Sequence, residues 1–328
     1  MEKKITYRVL CLTIILLLCD FKSEAHVSDS LLVMFWNVEN FFDWTDQKAG
    51  DSDSDFSSDG SRRWTMKRFY RKCDAIAKTI MWIGDTYGRM PDVIGLSEIE
   101  NRGVLVKLLH STLLRKYDYN IVHRDSPDRR GIDVALLYRS GSFELLSKSF
   151  KVPSVDGIAL STREILHTEF RCRNGKKLDF IVNHHPSKYG GNKESAGRRM
   201  AAASALKDIC DSLEAHGRGE GIIAMGDFND DPDSEALENL PRFMTNLGEK
   251  LKRTGEGTIR YEGKWEMIDF FIVSRQINSS SMSIAKVPFL MVEDRKYGGK
   301  KPFRTYSGPR YIGGVSDHCP ILLWVDVA

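Results

Sequence analysis

Ile222-Ile223-Ala224-Met225-Gly226-Asp227-Phe228-Asn229 decides the reading of this chain. An apolar run leads straight into Gly-Asp-Phe-Asn. A short apolar run closed by Gly, Asp and Asn is the pattern of a buried strand that stops at a turn. Alone, Gly226 to Asn229 would be no more than that turn. The same plan, however, recurs along the chain. Leu31 to Asn37 runs into Asn37-Val38-Glu39-Asn40, and Asp92 to Glu98 ends in Ser97-Glu98. Leu178 to His184 reaches Asn183-His184-His185-Pro186, Met267 to Ser274 carries Asp269, and His318 to Val327 follows Ser316 and Asp317. Asp133 to Arg139 (DVALLYR) adds a further strand. Polar groups at strand ends, rather than within strands, can converge on one rim of a common core.

Helical periodicity fills the intervals. Thr65 to Ile83 places Phe69, Cys73, Ile76, Ala77 and Ile80 on one face, and Val104 to Leu114 and Glu194 to Leu213 are two more helices. Strands and helices alternate in one continuous pattern, with no internal repeat and no long linker. That predicts an α/β (α+β) fold of layered sheets covered by helices, in one domain over residues 26–328.

The 328 residues are 41% hydrophobic and 28% charged, enough to build a sizeable core. A net charge of +3 is too mild to demand or exclude an anionic substrate, so charge placement must carry that argument. The stretch Asp51 to Asp59 (DSDSDFSSD) reads as a mobile acidic loop. It is not a calcium loop, because Phe56 stands where the turn glycine is needed and Arg62 where the bidentate glutamate is needed.

Residues 1–25 differ from the rest. Lys3, Lys4 and Arg8 precede an apolar run from Val9 to Cys19, and Ser23-Glu24-Ala25 places small residues where a signal peptidase reads. The expectation is an exported protein, secreted or periplasmic, beginning at His26. A lipoprotein anchored through Cys19 ranks second, because Leu18 precedes it where a small residue is usual, and an uncleaved anchor is a further alternative. Cys73, Cys172, Cys210 and Cys319 are scattered without metal spacing and read as buried apolar thiols.

NVEN, SE, NHHP, GDFN and SDHCP, in this order, each on its own strand exit, resemble the endonuclease/exonuclease/phosphatase superfamily. The resemblance runs from Asn37 to Pro320 and implies a DNase I-like four-layer sandwich of two mixed β-sheets flanked by helices. It also implies a metal-dependent phosphoester hydrolase, because an anionic phosphoester repels attacking water unless a cation and donors absorb charge. Glu98 is then the principal ligand of Mg²⁺ or Mn²⁺, with Glu39 and Asp317 supporting it. Asp227 would orient and deprotonate the water, and Asn229 would hold that water or a phosphoryl oxygen. Asn37 would fix the metal carboxylates. His318 would contact the scissile phosphate with Asp269 holding its ring, and His184 is a second phosphate-contacting or proton-donating histidine.

His185 stands where the family has an apolar residue, and strand alternation turns it away from His184, so it reads as structural. Arg130 and Arg163 are phosphate ligands or solvated loop arginines, and Asp133 either holds an active-site side chain or is surface polarity. Two basic clusters remain. Arg62, Arg63, Lys67, Arg68, Arg71 and Lys72 read as a solvated helix face. Arg295 to Tyr311 mixes cations with Tyr297, Phe303, Tyr306 and Tyr311 just before Asp317, which suits a nucleic-acid backbone. The expected substrate is therefore a phosphodiester in nucleic acid cleaved by an endonuclease, with no stable protein partner implied. A lipid-headgroup phosphodiesterase or phosphomonoesterase, and a binding protein without catalysis, are the alternatives.

Overall fold

The computed structural model describes residues 30–48, 50–188, 191–279 and 282–327. The proposed leader, its His26 junction and Cys19 lie outside them.

The strands assemble into two large mixed sheets. One runs, edge to edge, through Asn278–Ser279, Ile321–Asp326, Ser30–Phe41, Val93–Ile99, Asp133–Arg139 and Tyr119–His123, with Ser283–Ile284 also on Ile321–Asp326. The other runs through Met244–Asn246, Asp269–Ser274, Ile222–Asp227, Lys177–His184, Ile165–Cys172 and Phe143–Lys151. In Ser30–Phe41, Leu31, Val33 and Phe35 join one core cluster while Leu32, Met34 and Trp36 join the other. A strand buried on both faces has to be apolar at successive positions, which is why these segments read as continuous runs rather than alternations. Val33, Phe35 and Leu136 of the first sheet share a cluster with Phe170, Phe180 and Met225 of the second. On the outside, α1 (Met66–Tyr87) and α2 (Arg102–Ser111) cover the first sheet, and α3 (Asn192–Ala215) packs Leu206, Cys210 and Leu213 into the cluster of the second. This is the layered sheet-and-helix sandwich expected from the sequence. The four cysteines among the described residues are free and buried.

Helix α1 is cut out by its caps. Thr65 Oγ1 accepts the Arg68 N–H, and Gly88 closes the other end at φ 70°, a left-handed conformation that glycine adopts without a Cβ clash. Its buried face holds the expected Phe69, Cys73, Ile76, Ala77 and Ile80, together with Lys72.

One expectation fails. Asp51 to Asp59 is not a free acidic loop. Asp53 and Phe56 are buried, Asp53 accepts the Gln47 N–H at 2.8 Å, and the Phe56 ring stacks on Phe42 at 4.9 Å and meets Trp64 edge-on. An aromatic among acidic residues anchored the segment, and charge counting overlooked it. Phe56→Ala is therefore expected to destabilise the fold by about 3 kcal/mol, the usual cost of emptying a buried aromatic site. Urea denaturation reads this, and a midpoint within error of the parent would restore the loop picture. The run Arg295 to Tyr311 is packed toward its far end and exposed at its near end. Tyr306 is buried against Phe56, Trp64 and Tyr311, while Lys301 pairs with buried Asp294 at 3.3 Å.

Candidate active site

Strand register puts the polar ends together. Asp227 lies opposite His184 on one neighbouring strand and opposite Asp269 on the other. Three chemistry-bearing residues thus sit side by side at one sheet end. On the first sheet, Asn37 pairs with Ser97, and the register then shifts between Asn37 and Phe41 and again between Ser97 and Ile99. Glu39, Asn40 and Glu98 lie at these irregularities with φ of 51°, 50° and 62°, and Asn229 follows Asp227 with φ 50°. Non-glycine residues in this region are uncommon and costly, and irregular pairing re-aims side chains that a regular pleat would send elsewhere. NVEN and SE thereby bring Glu39 and Glu98 to the rim.

Asp227 is the hub. Asn37 Nδ2 donates to its Oδ2 at 3.0 Å and the Asn229 N–H to its Oδ1 at 2.9 Å. His318 Nε2 lies 3.8 Å and His184 Nε2 3.6 Å from Oδ2. His318 Nδ1 meets Asp269 Oδ2 at 2.8 Å, and the His318 N–H donates to Ser316 Oγ, which itself donates to the Asn37 carbonyl. Burial alone would lower the His318 pKa, but the carboxylates of Asp269, Asp227 and Asp317 more than offset it and hold the imidazolium well above the ordinary range. Burial, then the nearby Asp269 charge, pushes Asp227 up to about 7. His184 is driven the other way by burial and by Arg163 and Arg130, so it is neutral. Its buried Nδ1 has no protein partner, nor does Asp269 Oδ1.

Beside the hub stands a carboxylate group. Glu98 Oε2 accepts the Asn40 N–H at 2.7 Å and lies 3.5 Å from Arg130. Burial pushes Glu98 up, yet Arg130, the Asn40 N–H and His318 together hold it below its usual value. Glu39 accepts the Thr305 N–H at 2.7 Å, and Arg304 lies 3.5 Å from Glu39 and 3.1 Å from Asp317. Burial, then the Asp317 charge, pushes Glu39 up to about 7. Burial and the neighbouring Asp317 carboxylate leave Glu39 undercompensated, and all-oxygen donors suit a hard divalent cation. Glu39, Glu98 and Asp317 could hold such an ion. The group here whose ligand atoms all lie within 4.8 Å of one another is Asp227, Asp269 and His318. That group is held together by its own His318–Asp269 bond, and Glu39, Glu98 and Asp317 are further oxygen donors that could hold a cation.

Several expectations change here. Arg163 is buried, with Nη1 on Asp128 at 3.0 Å and Nη2 on the His185 carbonyl at 2.7 Å, so its guanidinium braces loops instead of facing a ligand. Asn229 Nδ2 donates to the same His185 carbonyl, so its amide fixes the chain around Asp227. Arg130 does reach the site, on Asn40 Oδ1 at 2.6 Å and beside Glu98. Asp133 binds His123 and Ser126 and holds the strand ends. His185 is turned away and packs edge-on against Phe228. Lys72 is not on a solvated face. It is buried, with Nζ on the Glu39 carbonyl and 3.0 Å from Thr305 Oγ1, and burial lowers it to about 8. Lys72 sits at helical spacing among Phe69, Cys73 and Ile76, and a cation on that apolar face was the available signal.

The model for the endonuclease/exonuclease/phosphatase family matches residues 32–327. The chain belongs to that family and is a metal-dependent phosphoester hydrolase. No curated protein matches the sequence. Among solved structures, an endonuclease/exonuclease/phosphatase from Bacteroides vulgatus is 19% identical with a TM-score of 0.57, covering 91% of this chain and 99% of its own. Truncated Caenorhabditis elegans TDP2 is 16% identical with a TM-score of 0.57, covering 90% and 97%. A mannosyl-6-phosphatase from Bacteroides thetaiotaomicron is 18% identical with a TM-score of 0.55, covering 89% and 98%. At such identities the likeness is one of fold.

Proposed function

We propose that this is an exported phosphodiesterase that hydrolyses nucleic-acid phosphodiester bonds with Mg²⁺ or Mn²⁺. The observation supporting hydrolysis best is the register that sets Asp227 between His184 and Asp269, with His318 facing it. Asp227 takes the proton of the attacking water, and the water oxygen forms the new bond to phosphorus as the ester oxygen leaves. His318, kept protonated, donates to a phosphoryl oxygen, and Asp269 fixes its ring through Nδ1. Asn37 orients Asp227 with its amide nitrogen and the Glu39 N–H with its carbonyl oxygen. The Asn229 backbone N–H positions Asp227, and its side-chain amide holds the His185 carbonyl. Neutral His184 contacts the phosphate as a second donor through Nε2, the ring nitrogen that faces Asp227. The half-exposed Arg304 and Arg130 supply guanidinium forks for the non-bridging oxygens. Glu98, Glu39 and Asp317 would hold a divalent cation, which would offset the charge that builds on those oxygens.

One observation favours a second reading. Lys72, Arg130, Arg304 and His318 gather around one spot instead of spreading along a groove, which suits a compact terminal phosphate such as a sugar monoester. A panel of plasmid, single-stranded DNA, RNA and bis-p-nitrophenyl phosphate against sugar phosphates, inositol phosphates and sphingomyelin vesicles separates the two. The diesters are expected to turn over faster, with nucleic-acid cleavage falling as salt rises. Intact DNA and RNA beside a hydrolysed monoester would hand the site to the second reading. Export is read from protein recovered from its host: an N-terminus at His26 is expected, and an intact Met1 or a lipidated Cys19 refutes it.

A further inference from the structure

Two short hairpins project beside the catalytic strands and carry two of the most exposed aromatic side chains among the described residues. Ile259–Tyr261 pairs with Lys264–Glu266, and Met291–Glu293 pairs with Lys300–Pro302. The first hairpin turns at Glu262 and Gly263, with φ of 46° and 81°, the two-residue turn whose twist matches a hairpin. The second turns at Gly298 and Gly299. Arg260 locks the two together, donating from Nε to the Gly263 carbonyl at 3.1 Å and from Nη1 to the Gly298 and Lys300 carbonyls at 2.7 and 3.0 Å. Buried Asp294 closes the second loop by accepting the Lys296 N–H at 3.2 Å.

This rigid pair presents Tyr261 at 63% exposure and Tyr297 at 43%. Tyr297 packs against the Gly263 turn that follows Tyr261, where an added Cβ would come within 2.8 Å of Tyr297 Cβ. Arg260 and Asp294 supply the hydrogen bonds that fix the scaffold, and most of the Tyr261 ring stands clear of it. Arg295, Lys296 and Lys300 are exposed on the same hairpin, with Lys296 Nζ 4.7 Å from the Tyr297 ring centre. The base of the first hairpin is at the site itself: Thr258 Oγ1 accepts the Asp269 N–H and the Thr258 carbonyl accepts the Cys319 N–H. Three residues of strand, about 10 Å, separate Thr258 from Tyr261.

We propose that Tyr261 and Tyr297 form a stacking platform for the bases of a single-stranded nucleic acid flanking the scissile phosphate, with Arg295, Lys296 and Lys300 on its backbone. Open aromatic faces beside cations are what sequence-tolerant single-strand binding needs. The inference rests on the nucleic-acid reading above and names the strand form. Its test uses the full chain, a fluorescein-labelled single-stranded DNA, and bis-p-nitrophenyl phosphate as a substrate too small to reach the hairpins. Tyr261→Ala and Tyr297→Ala are each expected to raise KM for the oligonucleotide roughly tenfold, with kcat and turnover of the small diester unchanged. Tyr→Phe at either position should restore binding, because the ring is kept. Fluorescence anisotropy in chelator reads the same tenfold loss without cleavage, so the platform is tested even if the chain proves not to be a nuclease. An oligonucleotide affinity within twofold of the parent in both alanine variants overturns the proposal. So does a parallel loss on the small diester, or an effect confined to a phosphorylated oligosaccharide.

Discussion

Asp227→Asn and His318→Ala are each expected to lower turnover by roughly a hundredfold or more, the scale on which an acid–base or charge-stabilising group acts. Asparagine keeps the shape of the Asp227 side chain and its contact with the Asn229 N–H, but cannot take a proton. It also faces the Asn37 amide donor, so the result must be read with a circular-dichroism check that the strand end is intact. Alanine at 318 removes the cation facing Asp227 and leaves Asp269 without its buried partner. The double variant should lose less than the product of the two, because both groups act on one transition state. The pH profile carries a second sign. Asp227 is raised to about 7, and the base must be deprotonated, so kcat/KM should climb as pH rises through about 7. That limb belongs to Asp227 and His318 together, since neighbours this close titrate as a unit. Asp269→Asn takes away the carboxylate that most favours the imidazolium, so the loss of activity on the alkaline side should move to lower pH. Steady-state kinetics on bis-p-nitrophenyl phosphate from pH 5 to 10 read all of this. Parent-like rates in either single variant would remove that residue from the mechanism.

What the sequence made legible was whatever strand periodicity and termination control. Asp227, Asp269 and His184 come together because register is a local property, and each strand ended where its apolar run ended. Glu39 and Glu98 were legible as residue types but not as geometry. Their orientation depends on two register shifts, and irregular pairing leaves no period to read. Lys72 and Arg163 show the opposite error, in which a charged residue was judged by its neighbours in sequence. Lys72 joined a basic run and became solvent-facing on paper, though its helical partners Phe69, Cys73 and Ile76 all face inward. Arg163 reads from the sequence as either a phosphate ligand or a solvated loop arginine, and only the fold shows Asp128 and the His185 carbonyl waiting for its fork. Phe56 was hidden in the same way inside an acidic run. In each case one side chain of opposite character inside a uniform stretch was the informative residue, because burying it requires a partner that the stretch cannot provide.

Removing divalent cations should abolish turnover, and Mg²⁺ or Mn²⁺ should restore it. Glu98→Gln is expected to lower the restored rate roughly a hundredfold or more, since a catalytic metal supplies several kcal/mol of charge stabilisation. Glutamine matches glutamate in size and can keep the left-handed backbone at position 98, where φ is 62°, so the fold should survive. A readout independent of activity comes from binding. An ion that binds only the folded state raises its melting temperature, so Mn²⁺ should shift the parent upward and leave Glu98→Gln nearly unmoved. The proton competes for the same oxygens. Glu39 is raised to about 7 by burial and by Asp317, so below that pH it carries a proton that the cation must displace. Apparent Mn²⁺ affinity should therefore weaken as pH falls from 8 to 6. Replacing Asp317 by Asn removes the like charge, so Glu39 drops toward the ordinary carboxylate range and the pH dependence of the remaining, weaker binding becomes shallower. Arg304, 3.1 Å from Asp317 and 3.5 Å from Glu39, lies where a competing positive charge acts, so Arg304→Ala should tighten Mn²⁺ binding while weakening substrate binding. Full activity in excess chelator, or an equal Mn²⁺ shift in the parent and Glu98→Gln, would move the cation away from these three carboxylates.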